Sequence, residues 1–162
     1  MKNPLKGAEI PSIPWQALLR IAIGVLFMSS GFGKLAQPRA NFIAAIQSYS
    51  FLNEWFEQIA SHVVPWTELL GGAFLALGLW GRAALVVIWL LDSAFIGVIA
   101  QALIRKLAID KCGCLGELLS IPPQVMIGVD IALWLACAYL WAKGEKAAAA
   151  GLDARFENKG KP

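Results

Sequence analysis

Residues 82–104 read RAALVVIWLLDSAFIGVIAQALI, a run in which Asp92 is the single charge between Arg82 and the Arg105-Lys106 pair that follows. About 20 predominantly apolar residues in a helix cross the hydrocarbon core of a bilayer. This run therefore reads as a membrane-spanning helix, and the rest of the chain must be compatible with lipid. Of the 162 residues 58% are hydrophobic, and they come in long runs, which excludes an ordinary water-soluble domain. Seven Trp fit anchoring at the membrane interface as well as packing. A net charge of +3 with no basic run argues against a nucleic-acid partner.

Working outward, Gly81-Arg82 is a very short turn, so the run before it, residues 65–80, must be an antiparallel neighbour. That span begins at or before Pro65, with a kink there, and carries Gly71 and Gly78 seven residues apart on one face. Downstream, Pro122-Pro123 opens a further span over 123–141, and 143–162 is a charged, alanine-rich tail. The first span covers 14–36, starts at Trp15, and repeats the seven-residue glycine spacing at Gly24 and Gly31. A cleaved signal peptide is the competing reading of that run. Arg20 inside it, Lys34 at its end and the lack of a small-residue cleavage pattern favour a retained helix.

Residues 38–64 are apolar but interleaved with Arg39, Asn41, Gln47, Asn53, Glu54, Glu57 and His62. Phe42, Ile46, Tyr49, Leu52, Phe56, Ile59 and Val63 recur in steps of three and four, which lines one helical face. This predicts an amphipathic segment lying along the interface, broken near residues 50–53, where Asn53-Glu54 reads as a helix start. The stripe is read first as core or interface contact, and second as part of a ligand pocket. The expected architecture is all-α: an integral membrane four-helix bundle in a single domain over 1–142, with an additional interfacial helix between spans 1 and 2.

Four spans put both termini on one side. Basic residues on that side number eight (Lys2, Lys6, Arg82, Lys143, Lys146, Arg155, Lys159, Lys161) against five opposite (Lys34, Arg39, Arg105, Lys106, Lys111), which predicts cytoplasmic termini. Within or near the spans lie Arg20, Glu68, Asp92 and Asp130. A lone charge at that depth costs about 2.5 to 3.5 kcal/mol on insertion scales, so partners are expected. Lys34 can meet Glu68, and Arg20 can reach the depth of Asp92. Asp130 has no basic partner at its depth, and Cys137 reads as a small packing residue.

The loop 105–122 contains Asp110-Lys111-Cys112-Gly113-Cys114-Leu115-Gly116, two of the three cysteines of the chain, on the side opposite the termini, where disulfides persist. Lys111 favours the thiolate, and a ring closed across one residue would be strained and easily reduced, so Cys112 and Cys114 read as a redox pair. Two other readings stand beside this one. A soft-metal thiolate site for Cu(I) or zinc would lack ligands, since His62 is the single histidine. A non-enzymatic accessory subunit of a larger membrane complex would use the loop as a structural bridge. One histidine and no nucleophile motif argue against a hydrolase.

Arg20, Gly24, Ser30-Gly31, Lys34-Leu35, Pro38, Glu68, Gly71, Gly78, Arg82 and Cys112-Gly113-Cys114-Leu115-Gly116 together resemble the MauE/DoxX superfamily of small four-helix membrane proteins, and the Cys-Gly-Cys loop resembles its MauE-like branch. Two positions depart from that branch: Lys111, where an acid is expected, and Leu115, where Phe is expected. The resemblance implies a multi-pass protein of the bacterial cytoplasmic membrane, engaged in disulfide or thiol chemistry of exported proteins. It further implies a thioredoxin-like partner and quinone as the candidate electron carrier. Arg20, Lys34, Glu68 and Asp92 would then be supporting charges around the Cys112–Cys114 site.

Overall fold

The computed structural model describes residues 15–49, 53–107 and 122–143, and all regular structure among them is helical. Five helices follow in order: α1 (Trp15–Leu35), α2 (Arg39–Ser48), α3 (Glu54–Leu77), α4 (Gly81–Ile104) and α5 (Pro123–Ala142). Three of them, α1, α4 and α5, are long and apolar enough to cross a membrane. Their outward faces carry Leu18, Val25 and Phe32 on α1, Val87 and Leu90 on α4, and Val125, Ile131 and Leu135 on α5, so the molecule presents lipid-compatible surface.

Helix α1 packs most extensively on α3, and α4 bridges α3 and α5. The α1–α3 contact is antiparallel and glycine-dependent. A Cβ added at Gly24 would stand 2.6 Å from the Ala76 nitrogen, one at Gly31 2.6 Å from the Leu69 nitrogen, and one at Gly72 2.5 Å from the Met28 nitrogen. No side chain fits there, so the two backbones touch directly. The glycine that α3 contributes is thus Gly72, not the Gly71/Gly78 pair read from spacing. Gly71 turns toward Ile88 of α4, and Gly78 ends the helix.

That ending also shifts the turn. Gly78 takes φ 69°, Leu79 N–H donates to Phe74 O at 3.0 Å, and the reversal occupies residues 78–80, with Gly81 and Arg82 already in α4. The left-handed conformation costs glycine nothing, and it lets the chain close the last carbonyls of α3.

Residues 50–52, where the break was expected, lie outside the described residues. Helix α2 ends at Ser48, α3 starts at Glu54 as the Asn53-Glu54 signal predicts, and α3 then continues through Pro65, which is buried inside it. The expected single stripe is divided accordingly. Phe42, Ile46 and Tyr49 turn toward the other helices, while Phe56, Ile59 and Val63 are exposed. The buried face of α3 is instead Glu57, Ser61, Pro65 and Glu68, followed by Gly71, Gly72 and Leu75. Short polar contacts tie α2 to α3: Gln47 Nε2 donates to Glu57 Oε2 at 2.9 Å, and Arg39 Nη2 donates to Ser61 Oγ at 3.1 Å.

Two apolar clusters fill the interior. One joins Ile23 and Phe27 of α1, Leu75 of α3, Ile88 of α4 and Cys137 of α5; the other joins Tyr49, Ile99, Ala102 and Met126 at the end of the bundle where α4 stops and α5 begins.

Candidate functional site

Lys34 lies in the last turn of α1, one turn beyond Ser30, on the side that faces α3. Because Gly31 allows the backbones to touch, the three polar side chains Ser30, Lys34 and Glu68 meet in the interior. Lys34 Nζ stands 2.6 Å from Glu68 Oε1 and 2.7 Å from Oε2, with the two side chains 1% and 0% exposed. Nζ also donates to Ser30 Oγ at 2.9 Å, and Ser30 Oγ is 3.2 Å from Glu68 Oε2 as donor. The rings of Phe95 and Phe42 flank the ammonium at 5.3 and 5.6 Å from their centroids. A cation–π contact contributes about 0.5 to 2 kcal/mol, whereas leaving a buried charge without its partner costs about 3 to 5 kcal/mol. Glu68 is therefore what holds Lys34 inside, and the rings refine its position.

Beside this ion pair lies a cavity of about 540 Å³ between α2, α3 and α4. Its wall is almost wholly apolar, with Phe42 and Ile46 from α2, Tyr49 at the end of α2 and Phe95 from α4, and the lining residues that carry polar groups are Lys34, Tyr49 and Gln101. The Gln101 amide, oriented to suit its neighbours, accepts from Arg105 Nε at 3.2 Å and Nη1 at 3.1 Å. Lys34 lines the cavity and Glu68 does not, and the Lys34 ammonium is turned to Glu68 and Ser30. A concave apolar space of this size with a few placed polar groups has the character of a small-molecule site.

The model of one protein family, described as methylamine utilisation protein MauE, matches residues 13–143. The chain belongs to the MauE family. No curated protein and no solved structure matches it. The MauE match spans all five helices, and so takes in the Lys34–Glu68 pair and the walls of the cavity.

The other residues singled out in this MauE-family sequence are placed as follows. Arg20 is buried on α1, but it does not meet Asp92 as expected. Asp92 is 0% exposed, and neither of its carboxylate oxygens takes a hydrogen bond. Its electrostatic neighbours are Asp130 and Cys137 of α5, because α4 presents Asp92 to α5. Asp130 is 2% exposed and so is closed off from bulk water. Cys137 is 0% exposed and packs in the apolar core. Among the described residues no group of His, Cys, Asp and Glu could hold a metal ion. Cys112 and Cys114 lie outside the described residues.

The cavity itself was the feature sequence reasoning missed in part. Phe42, Ile46 and Tyr49 announce themselves by spacing within a mixed segment, but Phe95 and Gln101 sit in a helix apolar on every side, where no periodicity distinguishes a pocket wall from a lipid-facing one.

Proposed function

We propose that this MauE-family protein is a membrane redox protein that uses Cys112 and Cys114, on the extracytoplasmic side, in disulfide or thiol chemistry of exported proteins. The observation that carries the reading is the Cys112-Gly113-Cys114 sequence in the connection between two membrane-crossing helices, beside Lys111. One thiolate attacks a disulfide of a thioredoxin-like partner and expels a partner thiolate, forming a mixed disulfide. The second thiolate then attacks that bond and releases the other partner sulfur, leaving Cys112 and Cys114 joined and the partner reduced by two electrons. Run backwards, the same steps oxidise the partner.

Support comes from the bundle. The ends of α4 and α5 that flank the cysteine connection are the ends nearest the cavity, since Gln101 lines it and Met126 clusters with Tyr49. In this reading α3 is the fourth span. Its outward residues Phe56, Ile59, Val63, Trp66, Leu70 and Phe74 are apolar and exposed, although its inward glutamates lower its overall apolarity. Four spans and the eight-to-five distribution of basic residues put both termini in the cytoplasm and the thiols outside, in an inner-membrane protein.

The test is made in cells. Cys112→Ser and Cys114→Ser are each expected to shift the disulfide pattern of exported proteins and the redox state of the partner. Unchanged patterns in both variants, at wild-type protein levels, would overturn the reading.

A further inference from the structure

We propose that the cavity between α2, α3 and α4 is a binding site for one acyl chain of an anionic membrane phospholipid, with the headgroup phosphate at Arg105 and Lys106, where α4 ends. Three observations point to this occupant. First, α2 is held off the bundle. None of its residues is buried, and its hydrogen bonds to α3 are polar ties, from Gln47 to Glu57 and from Arg39 to Ser61 and the Gln58 carbonyl. Its apolar residues Phe42, Ala45 and Ile46 line the cavity instead, as do Leu91, Phe95 and Val98 of α4. An empty space of about 540 Å³ between two such faces forfeits the dispersion contacts of both, and protein interiors leave few voids wider than a water molecule. Something apolar fills it.

Second, the lining selects hydrocarbon. Water held in a cavity needs about two to four polar partners. Here Lys34 Nζ is turned to Glu68 and Ser30, and the Gln101 amide to Arg105. The space is also continuous with the lipid-facing surface, because Ala94 and Gly97 line it and are exposed on α4, and a Cβ built on Gly97 meets nothing within 4 Å. A chain entering through this gap passes from one hydrocarbon medium to another. It pays no desolvation cost and gains close contact with ordered side chains.

Third, the cavity ends at cations. The Gln101 oxygen accepts from Arg105 Nε at 3.2 Å and Nη1 at 3.1 Å, which fixes the guanidinium one helical turn beyond the lining. Lys106 follows, and both residues are exposed. Lys106 takes φ 51°, with Leu107 N–H donating to Ala102 O at 3.1 Å, so it occupies the left-handed position of a helix ending, where glycine is the least costly residue. A lysine in that strained place puts a second cation where the apolar run stops, at the depth of lipid phosphates. Two adjacent cations favour a phosphate whose headgroup carries no cation of its own.

The site uses neither Cys112 nor Cys114 and stands apart from the redox reading. The test uses the full chain, purified from bacterial membranes in mild detergent and washed free of loosely held lipid, with bound phospholipid counted by native mass spectrometry. Retention approaching one phospholipid per chain is expected. After delipidation, phosphatidylglycerol should rebind more tightly than phosphatidylcholine with the same acyl chains. Lys106→Gly relieves the left-handed backbone and removes one cation. It is expected to weaken phosphatidylglycerol binding about fivefold without lowering the thermal midpoint of the lipid-free protein. Gly97→Trp places a ring in the gap without displacing a neighbour and is expected to abolish retention of both lipids. Amide hydrogen exchange over residues 39–48 should quicken on delipidation while residues 15–35 are unchanged, since the acyl chain is what α2 packs on.

The inference is overturned if the washed wild type carries no phospholipid, if Gly97→Trp retains it as the wild type does, or if exchange over residues 39–48 is the same with and without lipid. Equal binding of the two headgroups by the wild type, unchanged in Lys106→Gly, likewise overturns the assignment of the phosphate to the end of α4.

Discussion

Lys34 and Asp92 are both fully enclosed charged residues in a protein that offers its outside to lipid, and they differ in what surrounds them. Lys34 has a carboxylate, a hydroxyl and two rings within reach; Asp92 has no hydrogen bond at either oxygen. Removing one partner of a buried pair leaves the other charge stranded. Glu68→Gln is therefore expected to cost about 3 to 5 kcal/mol of stability, and the Lys34→Met/Glu68→Leu double variant to recover most of it, read by denaturant unfolding in detergent. Asp92→Asn breaks no hydrogen bond and keeps the shape, so its expected effect in the same assay is about 1 kcal/mol or less in either direction. A loss at Asp92 equal to that at Glu68 would mean that Asp92 holds a partner in the folded protein. The Lys34–Glu68 meeting could be anticipated from sequence because both residues end their apolar runs on the same side. The surroundings of Asp92 could not, because which face of α4 meets α5 depends on helix rotation, and α4 is apolar almost all round.

Among the elements, α1 and α3 are locked by three glycines whose missing side chains let the backbones meet, whereas Gly97 and Gly128 have open space around them. Overpacking a tight contact costs about 1 to 3 kcal/mol, and glycine in an open helix interior costs about 0.5 to 1 kcal/mol relative to alanine. Gly24→Ala, Gly31→Ala and Gly72→Ala are thus expected to destabilise, and Gly128→Ala to be neutral or to stabilise. A thermal unfolding series in one detergent compares all four, and a Gly31→Ala protein as stable as Gly128→Ala would show that the helices are not in backbone contact. Spacing in the sequence identified Gly24 and Gly31 but chose Gly71 and Gly78 over Gly72. Gly72 has no glycine seven residues away, so spacing passed over it, and only the partner helix decides which glycine it meets. The helix starts were better marked. Asn53-Glu54 and Pro122-Pro123 carry their own local chemistry, whereas the sequence left open whether the span starts at Pro65 or before it, and α3 starts before it and accommodates Pro65 inside, as happens where surrounding helices satisfy the freed backbone.

At the level of the whole molecule, connectivity does what no single residue does. The cavity, the ion pair and the ends of α4 and α5 all lie toward one end of the bundle, and the chain between those two helix ends carries Cys112 and Cys114. The third cysteine, Cys137, is enclosed in the opposite apolar cluster with 0% exposure. This separation gives a labelling experiment that reads sidedness and redox state together, with an internal control. In intact cells treated with reductant, a membrane-impermeant maleimide is expected to modify two thiols per chain, Cys112 and Cys114, and to spare Cys137 until the protein is denatured. Without reductant the same two thiols should resist modification to the extent that they are joined, and a tag at either terminus should become accessible only when the membrane is opened. Labelling that needs the membrane to be opened would put the pair on the cytoplasmic side, where a reducing environment works against a standing disulfide. The bundle, the ion pair and the cavity would be untouched by that outcome, but the thiols would no longer face the exported proteins on which the redox reading depends.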